Sequence, residues 1–303
     1  MLRAFRADAY ACFRYRADAL FEIMDALLTT GPTLSPAHLS LAPAHRRGWG
    51  SLYAALTHGR MTRGALRDLV ARYPLADGEP IYAVDVSVWA RCDAETSPER
   101  GYYYHPSRHS AGQPIVAAAQ IKEVVRRLPA AGPVPLCVCD AGYDPVQLAL
   151  DLGATPVATL VRLRKDRCCY ADPDPATAAT GRPRRHGRKF ACKDPATWPT
   201  PTAAYATDDD CYGRVRVRAW ANLHPIPQNH ATKGTRGPKP IVRGTLVLVE
   251  VERLPRQTRT PKQLWLWWQG PEGSTADVAL LWRAYVRRFD QEHTFRFYKQ
   301  ILT

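Results

Sequence analysis

The run "IYAVDVSVWA", Ile81 to Ala90, places an acid in the middle of β-branched and aromatic residues. Residues of that kind fill a pleated, half-buried strand. An ionised carboxylate there is costly unless a cation, hydrogen-bond donors or a metal compensates it, so Asp85 needs a partner. Backbone groups or an arginine would serve as well as a metal ion. A second run, "VPLCVCDAGYD", alternates small apolar residues and ends in Asp140, a Gly-containing turn and the helix-like "PVQLALDLG". Strand, acid, turn and helix in that order describe an open α/β sheet, which gathers its chemistry at the carboxyl ends of its strands.

The 303 residues, 46% of them hydrophobic, suffice for one large domain or two modest ones. Lys and Arg number 42 against 28 Asp and Glu, a formal charge of +14 that suits a polyanionic partner, nucleic acid before membrane. No apolar run approaches the roughly 18 residues of a membrane span, and charges interrupt "MLRAFRADAY" where a signal peptide needs an apolar core. The expected location is cytoplasmic, in association with the nucleoid. Eight cysteines contain no C-x-x-C pair, which points to free thiols, with Cys137 and Cys139 as small core residues of their strand.

Residues 1–78 read as a helical region and a candidate DNA-binding one. "ADALFEIMDALL" has helical apolar spacing, and "SPAHLSL" offers a Ser N-cap with Pro in the first turn. "HRRGWGSLYAALTHGRMTRGALRDLVARYP" reads as two short helices about a Gly-containing turn. A helix-turn-helix that reads DNA and a purely structural helix pair both fit it. Beyond Asp140, "ATLVRLRKDRCCY" is expected to form a third strand with a basic tip. Residues from about 171 to 262 are Pro-rich and basic, with loops such as "GRPRRHGRK" and with strand-like "CYGRVRVRAWANL" and "GTLVLVEVERL", and so form a β-rich insertion. "KQLWLWWQG" reads as a buried strand, and Ser274 is the expected cap of a final helix.

On that helix, Trp282, Val286, Phe289 and Phe297 form one apolar stripe. Beside it Tyr285, Arg288, Glu292 and Lys299 share a second arc, with one acid standing among cations and a phenol. A solvated face with an Arg288–Glu292 pair is one reading of that arc. A carboxylate held for a metal, flanked by phosphate donors, is the other. Three carboxylates, Asp85, Asp140 and Glu292, with no His or Cys among them, would select Mg²⁺, with Mn²⁺ as the alternative.

The pattern Tyr285-(2)-Arg288-(3)-Glu292-(6)-Lys299, with "AVDVS" around Asp85 and "VCDAGYD" around Asp140, resembles the DDE transposases of bacterial insertion sequences that carry a β-strand insertion before the last helix. The resemblance covers roughly residues 80–303. It implies an RNase H-like α/β fold over 79–303, a mixed sheet flanked by helices. It also implies Asp85, Asp140 and Glu292 as catalytic ligands of two Mg²⁺ ions, and Tyr285, Arg288 and Lys299 as holders of transposon-end phosphates. Arg162, Arg164 and Lys165 are further candidates for phosphate contact, with solubilising charge as their other reading, and Arg184, Arg185 and Arg188 belong to the basic insertion. The implied activity is hydrolysis and strand transfer at transposon ends, with transposon ends and target DNA as partners and a homodimer as a candidate assembly. A non-catalytic basic DNA-binding protein and an RNase H-like nuclease without end specificity are the alternatives. The interval from Asp85 to Asp140 is short for this family, and four residues follow Lys299. The expectation is therefore a truncated or internally deleted copy.

Overall fold

The computed structural model describes residues 2–30, 35–73, 80–84, 117–128, 132–174, 184–225, 240–255 and 260–288. Two compact units emerge, one mainly from the first 78 residues and the other mainly from Glu79 to Arg288. In the first, α1 (Leu2–Ala11), β1 (Phe13–Tyr15), α2 (Ala17–Thr29), α3 (Pro36–Leu39), α4 (Trp49–His58), β2 (Arg60–Met61) and α5 (Arg63–Arg72) follow one another. Ser35 caps α3 with Pro36 in its first turn, as its sequence predicts. Ala19, Ile23, Ala26, Leu39, Leu52 and Ala55 join α2, α3 and α4 in one apolar cluster. Glu22, nearly buried on α2, anchors the loop before α4: its carboxylate accepts from the Arg46 N–H at 3.2 Å and lies 3.4 Å from Arg47 Nε.

The second unit is a mixed α/β structure, in keeping with an RNase H-like fold. Its elements are β3 (Ile81–Val84), α6 (Ala117–Arg127), β4 (Leu136–Cys139), α7 (Pro145–Leu152), β5 (Ala158–Leu163), β6 (Cys168–Tyr170), β7 (Lys189–Ala191), β8 (Ala203–Asp209), β9 (Gly213–Pro225), β10 (Gly244–Val251), β11 (Leu264–Gln269) and α8 (residues 278–288). The described strands make one sheet in the order β3-β4-β5-β11-β10-β9-β6-β7, with β8 on β9. β3, β4 and β5 are parallel, and β5–β11, β11–β10 and β10–β9 are antiparallel.

Strand alternation sorts the core into two faces. Leu136, Val138, Ala158, Leu160, Val247 and Leu266 point to one, where Leu281, Trp282 and Tyr285 of α8 cover them. Cys137, Cys139 and Val161 point to the other and pack on Ile121 of α6 and on Leu148 and Leu152 of α7. Farther along that second face, Phe190, Trp220, Trp265 and Trp267 form an aromatic core with Trp198 against it. The described cysteines are free, and Cys137 and Cys139 are buried strand residues.

Three expectations change. "ATLVRLRKDRCCY" is two strands, not one: the chain turns at 164–167, where Arg167 N–H bonds Arg164 C=O at 3.1 Å. β5 stays in the parallel core while β6 pairs with β7 and β9. The Ala/Pro/Thr-biased stretch holds β7, a 3₁₀ turn at Pro195–Thr197 capped by Asp194, and the start of β8. Phe190 and Trp198 supply the burial that such a composition conceals. Finally, α8 is capped by Asp277, not Ser274. The Asp277 carboxylate accepts from Ala279 N–H at 2.9 Å and Leu280 N–H at 3.1 Å, while the Ser274 hydroxyl donates to the Pro271 carbonyl.

Asp277→Ala should therefore cost about 1 kcal/mol, lowering the midpoint of thermal unfolding by roughly 2–4 °C, and Ser274→Ala should cost less than half as much. Differential scanning fluorimetry of both variants checks the assignment, and an equal or larger loss for Ser274→Ala would reverse it.

Candidate active site

The parallel register brings the two acid-bearing segments side by side. Val84 of β3 lies opposite Cys139 of β4, and Cys139 lies opposite Val161 of β5. In sequence, Asp85 follows Val84, Asp140 follows Cys139 and Arg162 follows Val161. The strands that precede the two aspartates in sequence, β3 and β4, are neighbours. Asp85, Glu292 and Lys299 themselves lie outside the described residues, as does the interval 85–116.

Asp140 is half-buried, and the turn after it holds its carboxylate in one orientation. Oδ1 accepts the Gly142 N–H at 2.8 Å. This side-chain-to-backbone turn uses one carboxylate oxygen and leaves the other without a partner among the described residues. Gly142 is required for closeness: a Cβ there would stand 3.0 Å from Asp140 Oδ1. The second aspartate of "DAGYD" has a different task, since Asp144 Oδ1 accepts Val146 N–H and Gln147 N–H, both at 3.0 Å, and so starts α7 ahead of Pro145. The sequence order alone does not separate these two acids; the hydrogen bonds do.

Cations surround the acid on the α8 side. Tyr285 is fully buried and Arg288 nearly so, with the Arg288 guanidinium 5.9 Å from the centre of the Tyr285 ring. Burial pushes the Tyr285 phenol above its usual pKa; Arg162 and Arg288 pull it back by their charge, Arg162 also by a hydrogen bond, and Asp140 pushes it up again. Tyr285, Arg162, Arg288 and Asp140 thus form one electrostatic cluster. The Tyr285 phenol has no accessible surface in this structure, whereas Arg162 is exposed. Arg164 and Lys165 are exposed in the turn after β5.

Arg184 and Arg188 are exposed and Arg185 is half-buried, on a segment fastened to the insertion. Gly187 N–H bonds Ala171 C=O at 2.8 Å, Ala171 N–H bonds Arg188 C=O at 3.0 Å, and His186 Nδ1 meets His224 Nε2 at 2.8 Å. Those arginines stand at the β6–β7 pair and not in the Asp140 cluster.

The donor chemistry suits a hard cation. Asp140 presents an oxygen without a partner among the described residues, whereas the nearby thiols are poor ligands: burial pushes Cys137 up to about 12 and Cys139 higher still. No three His, Cys, Asp or Glu side chains gather among the described residues.

The family model of DDE superfamily endonucleases matches residues 8–131 and 114–225, well over half of the chain. The chain belongs to that family. Membership in the DDE endonucleases implies nuclease or transposase activity on DNA, and enzymes of this superfamily typically use divalent metals. Asp85 and Asp140 fall inside the matched span of this endonuclease, and the Tyr285-to-Lys299 signature falls beyond it. No curated protein matches the chain. Among the described residues no helix is long and apolar enough to cross a membrane.

Gly142→Ala should push the Asp140 carboxylate out of place and reduce DNA cleavage by this endonuclease at least roughly ten-fold while the thermal midpoint barely moves. Asp144→Ala should do the opposite, costing about 1 kcal/mol of stability and sparing cleavage. Parallel nicking and melting measurements read both, and unaltered nicking by Gly142→Ala would show that the turn does not set the site.

Proposed function

We propose that this endonuclease is a transposase of the insertion-sequence type, cutting DNA at transposon ends and joining the ends to a target. The observation that carries the reading is Asp140, a carboxylate at the carboxyl edge of parallel strands, oriented by Gly142 and set among Arg162, Tyr285 and Arg288. Asp85, next in sequence after a strand paired with that of Asp140, and Glu292, four residues after Arg288, complete the three-carboxylate set. Mg²⁺, when bound there, supplies the positive charge that polarises a phosphodiester and favours ionisation of an attacking hydroxyl.

The protein's own residues do the rest. Asp140 keeps one oxygen for the metal because Gly142 occupies the other. Arg288 and Lys299 neutralise phosphate charge next to the carboxylates, and Tyr285, packed under Arg162, keeps that guanidinium at the edge of the sheet. Arg164, Lys165, Arg184, Arg185 and Arg188 extend the phosphate contacts along flanking DNA, and residues 1–78 form a separate DNA-binding region. The assembly on DNA is a homodimer, one protomer for each end. Mn²⁺ substitutes for Mg²⁺ because both are hard, octahedral cations.

Asp140→Asn and Glu292→Gln keep side-chain size and remove charge. Each should abolish Mg²⁺-dependent nicking, by roughly a thousand-fold or more, while DNA binding is retained or tightened. The assay uses a plasmid carrying the DNA that flanks the gene. Retained nicking in a well-folded Asp140→Asn protein would refute the reading, and cuts scattered without regard to the ends would favour a nuclease lacking end specificity.

A further inference from the structure

From Ala26 to Arg67 the chain has no Asp or Glu, but five arginines and three histidines. α4 lies inside this stretch, and its buried side is ordinary: Leu52 and Ala55 pack into the apolar cluster of the N-terminal unit. Its other side is not. Trp49, Tyr53 and Leu56, at positions i, i+4 and i+7, share one face and are 69%, 41% and 54% exposed. The Trp49 and Tyr53 rings meet edge to face, their centres 6.0 Å apart and their planes at 80°. A Cβ built at Gly48 or Gly50 would touch nothing within 4 Å, so the start of α4 is open at both positions.

Cations frame this face. Arg46 and Arg47 precede it, the first with 80% of its side chain open although Glu22 lies 3.4 Å away, the second part-exposed and 3.4 Å from both Asp18 and Glu22. Arg60 and Arg63 follow it, both exposed. An apolar face on a helix without acids, flanked in the chain by cations, does not suit a second copy of itself, because a two-fold contact would set those arginines against their own images. It suits a polyanion with flat apolar groups, which is the chemistry of unpaired nucleotides: phosphates for the arginines and base faces for the rings.

We propose that Trp49 and Tyr53 form a stacking platform for an unpaired DNA base, with Arg46, Arg47 and Arg60 taking the neighbouring phosphates. The inference rests on the DNA-processing reading above and adds a site to it, one that binds single-stranded or distorted DNA. Fully paired duplex offers no free base face and gains only the arginine contacts.

The test is fluorescence anisotropy with the full-length protein, without divalent metal, on three labelled oligonucleotides: a single strand, a duplex with a central unpaired stretch, and the fully paired duplex. Trp49→Ala should weaken binding to the first two at least roughly ten-fold and to the paired duplex less than two-fold, and Trp49→Phe should restore most of the loss. A 2-aminopurine in the unpaired stretch should be quenched on binding wild type and Trp49→Phe but not Trp49→Ala. Trp49 is exposed, so thermal melting should be unchanged in each variant. Binding within two-fold of wild type for Trp49→Ala on every oligonucleotide would overturn the platform while leaving the DNA reading intact. Loss of a dimer on sedimentation of Trp49→Ala, with DNA binding unaltered, would assign the face to a second copy. Wild-type protein that binds none of the oligonucleotides would overturn both the platform and the wider reading.

Discussion

Parallel pairing of β3, β4 and β5 is the constraint on which the rest of this structure depends. Parallel strands need crossover connections, and those connections return each strand in the same direction, so the carboxyl ends collect along one edge. With Val84, Cys139 and Val161 in register, the residues next in sequence are Asp85, Asp140 and Arg162. Asp140 and Arg162 are thus placed on neighbouring strands by backbone hydrogen bonding, before any side-chain contact is formed.

The remaining elements make that edge usable. α8 covers one face of the sheet with Leu281, Trp282 and Tyr285, and the same helix carries Arg288, whose charge acts with that of Asp140 on Cys139. A tyrosine and an arginine are buried together there, with the Arg288 guanidinium 5.9 Å from the centre of the Tyr285 ring. The insertion does not hang from the side of the fold. β11 pairs with β5, β10 with β11 and β9 with β10, so the parallel core continues into an antiparallel extension whose tryptophans bury its second face. The edge that carries Asp140 is thus braced over many strands.

Much of this was legible in the residues. Alternating β-branched runs marked β3, β4, β9, β10 and β11, and the Ser35–Pro36 pair marked α3, because burial and capping act over a few neighbouring positions. What escaped depended on partners remote in sequence. β7 and β8 hide in an Ala-, Pro- and Thr-rich stretch, and only Trp220 and Trp265, far along the chain, supply the surface that Phe190 and Trp198 need. Tyr285 shares a helical arc with charged residues, yet it is buried because the sheet lies beneath it, which no helical wheel reveals. Asp277 outcompetes Ser274 as the α8 cap by standing at the first free N–H groups, a matter of one turn of register. At the site, both aspartate motifs were visible as types, but the division of labour between Asp140 and Asp144 is written in hydrogen bonds alone.

The central claim is that Asp85, Asp140 and Glu292 bind divalent cations together. Iron(II) substituted for Mg²⁺, with ascorbate and peroxide, generates hydroxyl radicals that cut the polypeptide close to the bound ion. The account predicts backbone cuts clustered near residues 85, 140 and 292, all suppressed together by excess Mg²⁺ and all lost in Asp140→Asn. Cuts that avoid these three regions, or that persist unchanged in excess Mg²⁺, would contradict it.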